Sequence, residues 1–157
     1  MKLIFILLIL SNICFGQSDR DKGLIAFDKK DFKTAVSILT PYAEKGDCVA
    51  QFAVGFAYGS DELKNDSLAM RWLLRAAEQK QTKAMGPLGV LYLGSEDKDA
   101  HVKAYLWAML AAEYEPIQKL TTARYVIKGY LSKAEIEQAD RLISDYKRKW
   151  ANTPNCE

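Results

Sequence analysis

The 157-residue chain has one histidine, His101, three cysteines and four prolines. It has no glycine-rich phosphate loop and, after its first ten residues, no long apolar run. Each scarcity excludes a class of function. One histidine and scattered carboxylates do not make a metal site. No serine or cysteine nucleophile stands beside His101, so acid–base or nucleophilic catalysis has no visible machinery. No pattern for a cofactor is present. Neither sign of charge dominates: 22 Lys and Arg face 20 Asp and Glu, a formal charge of +2. Such a chain has no general electrostatic hold on nucleic acid or anionic lipid. In contrast, apolar residues make up 49% and charged residues 27%, which excludes a disordered or collagen-like chain.

The first sixteen residues have the order of a secretory leader. Met1-Lys2 is basic, Leu3 to Leu10 is apolar, Ser11-Asn12 is polar, and Ile13-Cys14-Phe15-Gly16 leads into Gln17-Ser18-Asp19-Arg20. The apolar run stops well short of the roughly 20 residues that a membrane anchor needs. Signal removal therefore leaves an exported chain, periplasmic or secreted, with no membrane span. Lipidation at Cys14 is disfavoured by the bulky Ile13 before it.

The remainder repeats itself. Ala50, Gly55 and Tyr58 recur at an offset of 34 as Ala84, Gly89 and Tyr92. One inserted residue then makes the offset 35, and Ala69, Trp72, Ala76 and Ala77 fall on Ala104, Trp107, Ala111 and Ala112. Upstream, Ala35, Ile38, Leu39 and Ala43 form a looser copy of the second half. Each copy reads as two helices. Ala50, Val54 and Tyr58 stack on one face, and Ala69, Trp72, Leu73, Ala76 and Ala77 form an amphipathic stripe. Gly55 lets a neighbouring helix come close. Asp31 and Asn65 stand where a side-chain oxygen caps the second helix, and Gly46 stands where a helix ends. Two features depart from the pattern. Gly86-Pro87 falls inside a first helix, where proline removes an amide and crowds the preceding turn. Ala100 occupies a capping position, so Asp99 is expected to substitute.

These residues, Ala-x3-(Leu/Val)-Gly-x2-Tyr followed by a glycine turn and Ala-x2-Trp-x3-Ala-Ala, resemble Sel1-like repeats, relatives of the tetratricopeptide repeat. The resemblance is good from Asp47 to about Glu115 and loose from Gly23 to Gly46. It implies an all-α, right-handed stack of antiparallel helix hairpins, an α-solenoid. The expected organisation is a leader at 1–16 and a repeat domain at 17–150. That domain holds a degenerate repeat at 18–46, repeats at 47–80 and 81–115, and a closing hairpin at 116–150, with a tail at 151–157. Ser132 and Glu135 form a capping box for the closing helix, which runs to about Trp150.

In such stacks the first helices line a concave face whose non-consensus positions are open to a partner. Here those positions are Gln51, Phe52, Phe56, Met85 and Val90. Phe52 and Phe56 lie four apart, and such a stripe either anchors a partner or packs inside. The acidic turns around Asp61-Glu62 and Glu96-Asp97-Asp99 occupy equivalent repeat positions. They read as solvated loops, or as attractors of calcium or of a basic partner. Asn65-Asp66-Ser67 fits the glycosylation triplet, and Lys147-Arg148-Lys149 suits a helix C-terminus. After leader removal only Cys48 and Cys156 remain, so an oxidising compartment allows one pairing.

The resulting reading is a non-catalytic protein-interaction scaffold in the periplasm or secretory space. A periplasmic immunity protein that neutralises a toxin is the alternative, and a small hydrolase is disfavoured. Mass spectrometry of the exported chain should find Gln17 at its N-terminus. A diacylated Cys14 would instead make the protein a lipoprotein.

Overall fold

A computed structural model describes residues 19–114 and 126–156. The leader, its cleavage point, Cys14 and most of the connection after Glu115 lie outside the described residues. All regular structure among the described residues is helical. Helix α1 covers 19–28, and α2 (Phe32–Glu44), α3 (Cys48–Tyr58), α4 (Asp66–Glu78), α5 (Thr82–Leu93) and α6 (Ala100–Tyr114) follow it. A helical turn at 126–128 precedes α7 (Lys133–Trp150). Consecutive helices pack on one another, and α7 packs on α6, which produces an α-solenoid of hairpins.

One device builds three of the connections. Lys30, Gly46 and Lys80 follow α1, α2 and α4 in the left-handed region, with φ of 62°, 97° and 64°. The amide of the next residue reaches back to a carbonyl five positions earlier: Asp31 to Ala26, Asp47 to Tyr42 and Gln81 to Ala76, at 2.9–3.1 Å. That bond satisfies a carbonyl at the end of one helix. The same residue then caps the next helix with its side chain. Asp31 accepts from the Thr34 amide, Asp47 from Ala50 and Gln81 from Lys83. Glycine suits Gly46, whereas each lysine accepts a conformation costing roughly 1–2 kcal/mol.

The other expected caps lie mostly where the sequence puts them. Asn65 accepts from the Leu68 amide, and Ser132 and Glu135 complete their capping box. Asp99 does not replace the missing cap of α6 with its carboxylate. Instead Asp97 accepts the Asp99 amide at 2.8 Å, and the Asp99 carbonyl receives Lys103. Pro87 does not break α5, which runs through it to Leu93. Only the bond from position 87 to the Lys83 carbonyl is forfeited.

The hairpins close on glycine. A Cβ added at Gly55 would meet the Leu73 amide nitrogen at 2.8 Å and the Trp72 Cβ at 3.1 Å. Gly89 faces the equivalent residues of the next hairpin, with the Ala104 carbonyl at 3.3 Å and the Ala108 amide at 3.4 Å. Gly23 does the same in the loose first copy, where a Cβ would strike Leu39 and Ile38. The buried core extends along the stack. One cluster joins α1, α2 and α3 to Trp72, and another runs from Leu73 to Trp150. Trp72 and Trp107 are both buried, as their repeat positions require. Trp150, which the sequence marks only as a helix end, is also buried and stacks through Tyr146 towards Trp107, with centroids 5.0 Å apart at each step.

Gly55→Ala should destabilise by on the order of 1–3 kcal/mol, because the added methyl meets backbone that can only retreat with α4. Gly89→Ala should fall within about 1 kcal/mol of the parent, since a looser contact is offset by better helix propensity. Chemical denaturation of the two variants checks this. Equal stabilities, or the reverse order, would disprove the account of the close approach.

Candidate protein-binding groove

The first helices α1, α3 and α5 build one face of the stack, and the structure distributes the five candidate residues unevenly on it. Two of them are not available. Met85 is fully buried in the core. Gln51 is only 4% exposed, and its amide works internally. Its Nε2 donates to the Ala43 carbonyl at the end of α2 (2.9 Å), and its Oε1 accepts from Gln79 Nε2 after α4 (2.7 Å). The repeat register identifies both positions as non-consensus, but exposure depends on the neighbouring hairpin, which covers them. Neither Gln51 nor Met85 can therefore touch a partner.

The other three lie on the groove. Phe52 is half-buried, Phe56 is 41% exposed and Val90 is 67% exposed. Phe52 and Phe56 are not an isolated pair. Phe27 of α1 meets both edge-on at 5.8 and 5.7 Å, and Phe32 of α2 stands 6.3 Å from Phe56. Sequence reasoning missed Phe27 and Phe32 because they belong to the loose copy. Their signal was aromatic residues on either side of the Lys29-Lys30-Asp31 turn. Four rings thus form a patch in which Phe52 belongs more to the packing and Phe56 more to the surface.

Two hollows flank the patch. A cavity of about 450 Å³ lies towards the N-terminal ends of α3 and α5, lined by Phe27, Phe52, Gln81 and Lys83 together with Asn155 and Cys156 of the tail. A second, of about 260 Å³, lies between the C-terminal ends of α3 and α5 and is lined by Phe56, Gly59, Ser60, Pro87, Val90 and Leu91. Pro87 therefore serves as a wall of this hollow.

The tail closes the first cavity. Trp150 Nε1 donates to the Glu78 carbonyl at 3.0 Å, and Lys80 Nζ donates to the Thr153 carbonyl at 3.0 Å. These bonds carry the chain back across α4 and α5 until Cys156 meets Cys48 at the start of α3, in a disulfide with Cα atoms 6.3 Å apart. Beside it Arg20 pairs with Asp47 and joins α1 to the cap of α3. Burial pushes the Asp47 carboxyl up, but the Arg20 guanidinium and the Ala50 amide outweigh it and hold the group below its ordinary range.

The remaining candidates have ordinary structural surroundings. His101 is exposed and stacks on Tyr130 with centroids 6.2 Å apart. Asp97 is engaged by Lys103, which lowers its pKa, and Glu62 lies 3.5 Å from Lys33. Lys147 and Arg148 at the end of α7 pair with Glu113 and Asp145. Among the described residues no three His, Cys, Asp or Glu side chains gather as metal ligands, and no helix is long and apolar enough to cross a membrane.

No family model matches the chain. An F-box protein of Arabidopsis thaliana is 31% identical over 70 residues, covering 45% of this chain and 20% of that protein. The crystal structure of a protective antigen present in uropathogenic Escherichia coli strains, displaying an SLR (Sel1-like repeat) fold, superposes with a TM-score of 0.72 at 27% identity. It covers 87% of this chain and 30% of the antigen. The chain thus spans less than a third of the length of either protein, and its fold is that of a Sel1-like helical-repeat stack.

Thiol titration of the chain lacking residues 1–16, denatured without reductant, should find no free thiol. The 108-residue separation of Cys48 and Cys156 makes the bond worth on the order of 4–5 kcal/mol on the chain-entropy account, less any strain. Two free thiols, or an unchanged melting temperature on reduction, would show that the tail is held by Trp150 and Lys80 alone.

Proposed function

We propose that the protein is a non-catalytic interaction module whose partner is another protein, bound along the groove of α1, α3 and α5. The observation that carries the reading is the exposure of Phe56 and Val90, which both line one apolar hollow on that face. Large apolar side chains grouped on a surface and bordered by polar turns are the usual mark of a protein contact. The fold supports the same conclusion, because stacked hairpins present their first helices as an extended binding surface. The inventory of chemical groups agrees: His101 stacks on an exposed tyrosine, and the carboxylates of the neighbouring turn are held by lysine or solvent-facing.

We further propose that the protein acts outside the reducing cytoplasm. The leader-like order of the first sixteen residues and the Cys48–Cys156 bridge support this together, since such bridges persist where thiols are oxidised.

The test uses a photo-crosslinking amino acid placed singly at Phe56, at Val90 and at the exposed Ser37 of α2, which lies outside the groove. In the exported fraction the first two positions should give a covalent adduct with the same protein, and Ser37 should give none. Phe56→Ala combined with Val90→Asp should weaken capture of that adduct's partner by at least about tenfold, ~1.4 kcal/mol, without loss of helicity. Phe52 is left intact, because its half-buried ring would confuse binding with stability. Adducts from Ser37 alone would move the interface off the groove. The identity of the adduct, an envelope component or a toxin, separates a scaffold from an immunity protein.

A further inference from the structure

We infer that the hollow between the C-terminal ends of α3 and α5 receives an apolar side chain from a partner segment that carries lysine or arginine beside it. This rests on the reading of the groove as a protein-binding face and adds the chemistry of what binds.

The hollow fits an anchor. Its roughly 260 Å³ is below the ~300–1,000 Å³ of sites that enclose small molecules. Its wall is apolar apart from Ser60, and Phe56 and Val90 stand exposed in it. A leucine or phenylalanine entering it would cover side chains that otherwise face water.

The surroundings are negative. Gly59 and Ser60 line the hollow and also open the turn that carries Asp61 and Glu62 and leads to Asp66 at the start of α4. Leu93, at the end of α5, opens the turn that carries Glu96, Asp97 and Asp99. Against these six carboxylates the two turns hold only Lys64 and Lys98. Lys33 and Lys103 reach in from neighbouring helices to Glu62 and Asp97, which still leaves an excess of negative charge. Helices α3 and α5 end here, at Gly59 and Gly94, and α4 and α6 begin from the same turns, so the helix ends add no net sign and the excess comes from the side chains. These carboxylates do not converge as ligands for a cation, since no group of three stands together among the described residues. They act as a field around an apolar hollow, and the complement of that arrangement is an apolar residue flanked by positive ones.

Three synthetic peptides test this on the cleaved, oxidised protein by NMR titration. The first has a Leu-Phe anchor with two lysines on each side, the second has the same anchor with glutamates, and the third has the lysines around Ala-Ala. The first should bind at least about tenfold tighter than either other at low salt and lose most of that advantage in 0.5 M salt. Its shifts should centre on the amides of Gly59, Val90 and Leu91. Asp61→Lys with Glu96→Lys, two exposed turn positions, should reverse the preference between lysine and glutamate flanks while melting stays near that of the parent. Equal binding of the first two peptides, or of the first and third, would overturn the inference. So would shifts centred elsewhere, no binding at millimolar peptide, or self-association of the protein through the same amides. If the crosslinks from Phe56 and Val90 still form, the groove reading survives and only the charge of the partner is wrong.

Discussion

At Gly55 the backbone of α4 comes so near to α3 that one extra methyl would touch the Leu73 amide. Gly89 meets the α6 backbone in the same way and Gly23 meets the side chains of Leu39 and Ile38, while Ala35, Ala69, Ala76, Ala104 and Ala111 are all buried nearby in the core. The rest of the architecture depends on this proximity. Glycine makes room in the seams for large partners: Leu73 and Trp72 lie against Gly55 and Trp107 against Gly89, while Trp72 and Leu73 extend into separate core clusters. On the open side Phe56, beside Phe27 and Phe32, and Val90 keep much of their surface exposed.

The hairpins were legible because a repeat states the same local problem more than once. Two copies in register made the small–small–aromatic positions stand out from chance, and Asn65, Ser132 and Gly46 end their helices through bonds to residues a few positions away. What escaped was set by distant neighbours. Gln51 reads as an open polar position, yet Ala43 and Gln79 consume its amide. Met85 is buried in a core shared by several helices, and Trp150 is held by the Glu78 carbonyl 72 residues away, which periodicity cannot report. Gly23 was overlooked for another reason: its spacing to Gly55 is 32 rather than 34, so a search at the main period passes over it. Lysines at Lys30 and Lys80 hid a turn that Gly46 displays openly, because residue type suggests a left-handed conformation only when it is glycine or asparagine.

A stack of hairpins is normally coupled only between neighbours, and its ends are its weak points. Two devices depart from that rule here. Helix α4 contributes Trp72 to one core cluster and Leu73 to the next, so adjacent residues bind the two halves together. The tail then joins the last helix to the start of α3, passing over the intervening hairpin through Trp150 and Lys80. The first hairpin is outside this loop and is held without a covalent tie, by the core cluster that joins α1, α2 and α3 to Trp72, the Gln51–Ala43 bond and the Arg20–Asp47 pair.

The bridge between Cys48 and Cys156 also determines how the molecule would carry tension. A pull applied ahead of α1 and at the tail travels along the chain to Cys48 and crosses the sulfur atoms directly to Cys156. Residues 49–155 are then off the load path. Only α1 and α2 can be drawn out, yielding roughly 100 Å of slack before the force meets a covalent stop, while α3 and α5 keep their places under strain.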